Sequence, residues 1–133
     1  LVVSFGHNDA NRAKAERYVP ADAFGESLRP FWDAARSHGA VCIFASPVAM
    51  REFDEAGVCH PSFAAYREAM RAFAAEVGAP FIDLGAATAA ANTAFGAERC
   101  KARYMWVGAK QDNAHQLLQD TTPALDVLRA NFR

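Results

Sequence analysis

The chain has 133 residues, of which 52% are hydrophobic, and its formal net charge is -1. This composition predicts a single globular domain over residues 1–133 that is large enough to bury a core. The near-zero charge argues against nucleic acid as a partner, and no apolar run approaches the ~20 residues that a membrane-spanning helix requires.

Three apolar, β-rich segments follow one another along the chain, at residues 1–5, 41–45 and 80–84. Helical patterns separate them, and such alternation favours parallel strands joined by right-handed helical crossovers. The sequence therefore predicts an α/β fold. Three parallel strands are few for a stable sheet, so the sheet is expected to be incomplete.

The intervening segments carry apolar residues at helical spacing, which predicts core-facing helices. The first stripe ends at His38-Gly39 and comprises Phe24, Leu28, Phe31, Trp32 and Ala35. The second begins near Pro61-Ser62, ends at Gly78 and comprises Phe63, Tyr66, Met70, Phe73 and Val77. An Ala-rich helix is predicted over 85–96, then an irregular segment to 110, and Thr122-Pro123 resembles the start of a final helix.

Two polar motifs could carry chemistry. The first, Gly6-His7-Asn8-Asp9, follows the first predicted strand, at the edge where open α/β sheets place ligand-binding groups, although these are also common turn residues. In the second, Asp112 precedes His115 by three residues, so the carboxylate could orient the imidazole and leave its Nε2 free as a general base. Alone, either motif is weak evidence.

Together, in this order, the two motifs resemble the third and fifth sequence blocks of the SGNH (GDSL-like) hydrolases. The resemblance extends over nearly the whole chain and is greatest to rhamnogalacturonan acetylesterases. It is carried by the segments at 3–9, 46–48 with 51–54, 66–70, 80–84 and 111–115. It implies a three-layer, flavodoxin-like α/β fold with a parallel sheet, of which this chain supplies all but the first two strands.

The same resemblance implies a carboxylic ester hydrolase whose catalytic residues here are Asn8, Asp112 and His115. The Asn8 amide would donate to the oxyanion, and the other two would activate a serine. Asp9 is expected to brace its loop. The family's serine lies in a G-D-S motif upstream of the matched region, and that motif is absent from this sequence. Ser4 and Ser46 are expected to be structural, with Ser46 the first alternative nucleophile.

Substrate binding is assigned to His7 and to Arg51 and Phe53, the latter two in a polar loop after the second strand. No metal and no cofactor are expected, since the histidines lack ligand spacing. The cysteines, Cys42, Cys59 and Cys100, are expected to be buried free thiols, with one disulfide between the last two left open.

The predicted function is removal of acetyl or short acyl groups, from a pectin-type polysaccharide, by a Ser-His-Asp mechanism whose serine lies outside this chain. Alone, the chain is expected to be nearly inactive. The alternatives are a non-catalytic remnant or carbohydrate-binding module of the same fold, and, more weakly, a nucleotide-binding or receiver domain. A complementing N-terminal segment, or self-association through the edge at residues 1–5, is an expected partner. The resemblance makes an extracellular or periplasmic location plausible.

Overall fold

The computed structural model describes residues 1–104 and shows an α/β arrangement with a three-stranded parallel sheet. The strands are β1 (Val2–Val3), β2 (Ile43–Ala45) and β3 (Phe81–Ile82). The helices are α1 (Ala21–Ser27), α2 (Arg29–Ser37), α3 (Ala64–Glu76), α4 (Leu84–Phe95) and α5 (Ala97–Cys100), followed by a 3₁₀ turn at Lys101–Arg103. Residues Leu1–Ala97 form one compact unit, and the chain divides after Ala97.

The strand order is β1-β2-β3, and β2 lies in the centre with a parallel neighbour on each side. Phe44 pairs with Val3 on one side and with Phe81 on the other. The predicted strands are therefore confirmed in position and orientation, although each is shorter than its apolar segment. The carboxyl ends of all three strands lie at the same edge of the sheet, which we call the carboxyl edge.

The main core lies between the sheet and the helices α1, α2 and α3. Phe44 is fully buried and its ring meets Phe73 edge-on at 5.5 Å between centroids, while Phe24 meets Tyr66 in the same way at 5.1 Å. Both predicted apolar stripes contribute to this core. The other buried members are Val3, Leu28, Ala35, Cys42, Met70 and Ala74.

The first crossover differs from a single helix, because α1 ends at Ser27 and α2 begins at Arg29. Pro30 occupies the first turn of α2, where its ring and missing N–H are tolerated, whereas inside a continuous helix they would break the hydrogen-bond ladder. Phe31 is also 39% exposed, so its placement on the core face was wrong; its ring packs instead on Phe5, 5.1 Å away between centroids.

Later elements follow the sequence closely. Helix α3 ends before Gly78, whose φ of 69° is a common helix stop, and α4 covers the Ala-rich segment. The segment predicted to be irregular instead begins with α5 and the 3₁₀ turn. All three cysteines are buried free thiols, as expected. Within residues 1–104 no helix has the length and apolar character needed to cross a bilayer. The predicted final helix lies outside the described residues.

Candidate active site

The loop after β1 begins with a backbone conformation that only glycine adopts easily. Gly6 has a φ of 123°, and its N–H donates to Asp9 Oδ2 at 2.9 Å. The Ala10 N–H donates back to the Gly6 carbonyl at 3.0 Å. Asp9 therefore braces the loop, as predicted. The turn leaves Asn8 exposed at the carboxyl edge, with its side-chain amide available to a ligand.

Gly6 also joins this loop to the loop after β2. A Cβ atom at Gly6 would lie 2.7 Å from Cγ of Pro47, which is fully buried, so any side chain would force the two loops apart. The absence of a side chain lets the backbone of the β1 loop rest directly on the proline ring. The position of Asn8 is thus set by β2 as well as by its own strand.

His7 lies on the same exposed turn as Asn8. Its ring meets the ring of Phe63 edge-on, 4.6 Å away between centroids. Partial burial lowers the pKa of His7, and a hydrogen bond with the backbone of Val48 opposes that shift. A neutral, partly packed imidazole beside Asn8 suits contact with an uncharged part of a substrate. Its assignment to substrate binding remains a prediction.

The loop after β1 closes on itself. The Val19 N–H donates to the Asp9 carbonyl at 3.0 Å, so residues 9 and 19 meet at the base of the loop. The hydroxyl of Tyr66, from α3, donates to the Val19 carbonyl at 2.7 Å and lies 3.4 Å from the Asp9 carbonyl oxygen. Burial raises the pKa of Tyr66, which keeps this donor protonated. We call residues 9–19 the closed loop.

Ser46, the alternative nucleophile, is fully buried at the end of β2. Its hydroxyl donates to Asp83 Oδ1 at 3.0 Å and accepts the Gly85 N–H at 2.9 Å. A buried serine whose hydroxyl both donates and accepts a hydrogen bond within the protein cannot attack a substrate. The structural assignment of Ser46 fits this geometry.

Asp83 is the centre of a polar network that the sequence did not reveal. It caps α4 by accepting the Ala86 N–H at 3.1 Å, and Arg67 binds it through both Nε and Nη2, at 3.2 and 2.7 Å. Arg71 adds a third cationic contact. The hydrogen bonds from Arg67 hold the pKa of Asp83 far below its usual range, despite the opposing effect of burial. The only sequence signal was an Asp placed between an apolar strand and an Ala-rich helix, the usual position of a helix cap.

The polar loop after β2 has a small apolar core of its own. Phe53 is half-buried and packs against a cluster of Ala49, Cys59 and Ala89, and its backbone forms an isolated bridge with Cys59. Arg51 is half-buried, and its guanidinium approaches the carbonyl of Ala97 at 3.4 Å. These contacts give both side chains packing partners within the protein. Their role toward substrate remains a prediction.

A hydrogen-bonded His–Asp pair that the sequence reasoning missed fixes the tip of this loop. His60 Nε2 lies 2.7 Å from Asp54 Oδ2, while Asp54 Oδ1 accepts the N–H groups of Ala56 and Val58 at 3.0 and 2.9 Å. The hydrogen bond from His60 lowers the pKa of Asp54. Six residues separate the partners, and only the tight turn at Gly57 brings them together.

The remaining predicted catalytic residues, Asp112 and His115, lie outside the described residues. Their approach to Asn8 remains a prediction. In the part of the chain that the structure describes, no three His, Cys, Asp or Glu side chains gather closely enough to hold a metal ion.

A small parallel sheet with a braced polar turn at its carboxyl edge fits the SGNH hydrolase fold that the sequence motifs predicted. Residues 1–118 match the GDSL-like Lipase/Acylhydrolase family, and the chain belongs to that family. The fold class predicted from sequence is thereby confirmed.

Two curated relatives come from Bacillus subtilis. The chain is 37% identical over 115 residues to Rhamnogalacturonan acetylesterase RhgT and 34% identical over 116 residues to Probable rhamnogalacturonan acetylesterase YesY. Each alignment covers 86% of this chain but only 47% and 53% of the respective relatives, so the chain spans about half of their length.

A solved structure of the protein YXIM from Bacillus subtilis is also similar. It aligns with a TM-score of 0.69 and 28% identity, over 78% of this chain and 29% of that one. The resemblance to acetylesterases predicted from the sequence motifs is thereby confirmed at the level of family and fold.

Proposed function

We propose that this chain forms part of an esterase that removes acetyl or other short acyl groups from a pectin-type polysaccharide through an acyl-enzyme intermediate. The observation that carries the proposal is the exposed Asn8 on a turn braced by Asp9, at the carboxyl edge of a GDSL-family sheet. The names of the two curated relatives support acetyl esters of rhamnogalacturonan as the substrate class.

The nucleophile is assigned to a serine outside these residues, because each serine of the chain is unsuited to the role. Ser27 and Ser37 donate to carbonyl groups within their own helices, Ser46 is buried, and Ser62 accepts the Met50 N–H. Ser4 is exposed, but it comes only four residues before Asn8 on the same strand end. The resemblance to GDSL-like hydrolases implies a nucleophilic serine at a different strand end from the oxyanion asparagine, and Ser4 does not occupy that position.

The proposed reaction proceeds in two steps. The serine Oγ attacks the ester carbonyl carbon while His115 takes its proton, and the Asn8 amide donates to the oxyanion that forms. The protonated His115, oriented by Asp112, then gives the proton to the leaving sugar hydroxyl. Water attacks the acyl-enzyme by the same route, releasing acetate and the free serine.

The test uses the whole protein that the gene encodes, assayed with p-nitrophenyl acetate and acetylated pectin. A donor to the oxyanion contributes about 10²–10³ in kcat, so Asn8→Ala should lower kcat by that factor with little change in KM. His115→Ala should abolish most turnover. His38→Ala is the matched control, because His38 ends α2 away from the carboxyl edge, and its activity should equal that of the unaltered protein.

The 133-residue chain alone separates the proposal from its alternatives. It should show no burst of p-nitrophenol and no labelling by a fluorophosphonate, because no serine within it is positioned as a nucleophile. Robust labelling of the isolated chain would overturn the assignment of the serine. Binding of polysaccharide by the whole protein without any ester hydrolysis would favour the carbohydrate-binding alternative.

A further inference from the structure

The closed loop carries a concentration of positive charge directly beside Asn8. Arg12, Lys14 and Arg17 are all exposed, and between residues 9 and 19 the only acidic side chains are Asp9, which is committed to the Gly6 N–H, and Glu16. The chain as a whole has a net charge of -1. Positive charge is therefore gathered at one place on the carboxyl edge.

The cations of the closed loop, Arg12, Lys14 and Arg17, have no acidic partner among the ion pairs of residues 1–104. By contrast, Arg29 binds two glutamates and Arg67 binds Asp83. Glu16 is the one exposed carboxylate of the loop and offsets part of this charge, so the three cations keep a net positive charge that an anionic ligand would neutralise.

The loop holds these side chains on an ordered backbone. The Lys14 N–H donates to the Asn11 carbonyl at 3.0 Å, the Arg17 N–H to the Lys14 carbonyl at 3.1 Å and the Tyr18 N–H to the same carbonyl at 3.0 Å. The guanidinium of Arg12 lies over the ring of Tyr18, 5.9 Å from its centroid. Successive turns and the closure at Val19 thus hold the backbone of the closed loop in one conformation next to Asn8 in the chain, which lowers the cost of ordering the loop on binding.

We propose that Arg12, Lys14 and Arg17 form a subsite for the carboxylates of an acidic polysaccharide, on sugar units that flank the acylated one. The inference rests on the proposed function and adds the residues that would bind the charged units of its polymer. Arginine suits carboxylates because its planar fork can donate two parallel hydrogen bonds to the two oxygens. A polymer with regularly spaced uronic acids would place one carboxylate at the loop whenever an ester reaches Asn8.

Direct binding tests the subsite without requiring catalysis. The dissociation constant of a polygalacturonate oligomer lacking acetyl groups is measured by calorimetry for the unaltered protein and for the triple variant R12Q/K14Q/R17Q. Because each exposed ion pair contributes only a small part of the affinity, the triple variant should bind roughly 10- to 50-fold more weakly. Added salt should weaken binding by the unaltered protein more than by the variant.

Arg36→Gln is the matched control. Arg36 is exposed and lies over the Trp32 ring, in the last turn of α2, at the end of the sheet opposite Asn8. Its variant should bind polygalacturonate within about twofold of the unaltered protein, since one distant exposed charge contributes little. Equal weakening by R36Q and by the triple variant would show general attraction to cations and overturn the subsite.

Further ligands test which kind of anion the subsite prefers. Galacturonic acid monomer should bind far more weakly than the oligomer, and a neutral galactan should show no dependence on the three residues. Sulfated dextran binding with the same loop dependence and equal affinity would show a general polyanion surface and overturn the preference for carboxylates.

Activity assays distinguish a failure of the subsite from a failure of the proposed function. The triple variant should retain its kcat/KM for neutral p-nitrophenyl acetate. Its kcat/KM for acetylated pectin should fall because KM rises. Unchanged polygalacturonate binding by an active triple variant would overturn the subsite alone. Loop-dependent binding in a protein that hydrolyses no ester would support the subsite and overturn the proposed function.

Discussion

Replacing Asp83 with alanine should destabilise the whole carboxyl edge, because one carboxylate serves four groups. The loss of a helix cap costs about 1 kcal/mol. Removing one partner of a buried ion pair costs about 3–5 kcal/mol, and the value is lower here because the side chains of Asp83 and Arg67 retain 24% and 18% exposure. We expect Asp83→Ala to lower the free energy of unfolding by about 3 kcal/mol, and Asp83→Asn, which keeps a capping oxygen, by about 2 kcal/mol.

Denaturant unfolding followed by far-UV circular dichroism measures these values. Glu68→Gln is the control, since Glu68 also pairs with Arg71 but its side chain is 75% exposed. Its stability should change by no more than about 0.5 kcal/mol. If Asp83→Ala is no more destabilising than Glu68→Gln, the polar network does not stabilise the fold in the way described.

The same network gives stability a pH dependence of defined sign. The pKa of Asp83 is depressed in the folded state, first of all by the hydrogen bonds from Arg67. Its contribution is therefore complete above the unfolded pKa, about 3.9, and is lost as the pH falls toward the folded value. Acidification from pH 5 to pH 3 should destabilise the unaltered protein more than Asp83→Asn. Equal losses in both proteins would contradict this.

Three further outcomes are expected. Gly6→Ala should lower stability by about 2 kcal/mol or more, through its φ of 123° and the clash with Pro47, and P47A in that background should restore part of the loss in a double-mutant cycle. Asp54→Ala, which removes the acceptor, should speed hydrogen exchange at the Val58 N–H without altering the global unfolding transition. The 133-residue chain should form oligomers in light scattering through the outer edge of β1, where Val2 is 63% exposed; a stable dilute monomer would refute that pairing.

The fold was predictable where apolar periodicity and strand composition coincide, but the break between α1 and α2 was not recognised. The apolar residues keep the same helical spacing across the break, and Phe24, Leu28 and Ala35 are all buried. Only Pro30 signalled a boundary. Phe31 fits the same stripe yet is exposed, and its ring packs on Phe5 outside the main core.

The contacts of the candidate site were also only partly predictable from the sequence. A local motif sufficed to predict the turn of Asn8 and its brace by Asp9, because the residues involved lie within four positions of one another. Ser46 and Asp83 are 37 positions apart, and nothing in either segment indicates the other as a partner. Contacts of that range depend on how the strands are ordered, which motifs alone do not specify.

The closed loop has two ends, at Asp9 and Val19, that must keep their positions, and residues between them that can vary. The hydrogen bond at its base and the Tyr66 hydroxyl hold the two ends, whatever lies between them. Each doubling of loop length adds only about 0.6 kcal/mol of closure entropy, so residues can be inserted or exchanged there at small thermodynamic cost. Evolution can therefore alter the proposed contacts with a polymer while Asn8, the proposed oxyanion donor, keeps its place outside the loop through Gly6 and Pro47.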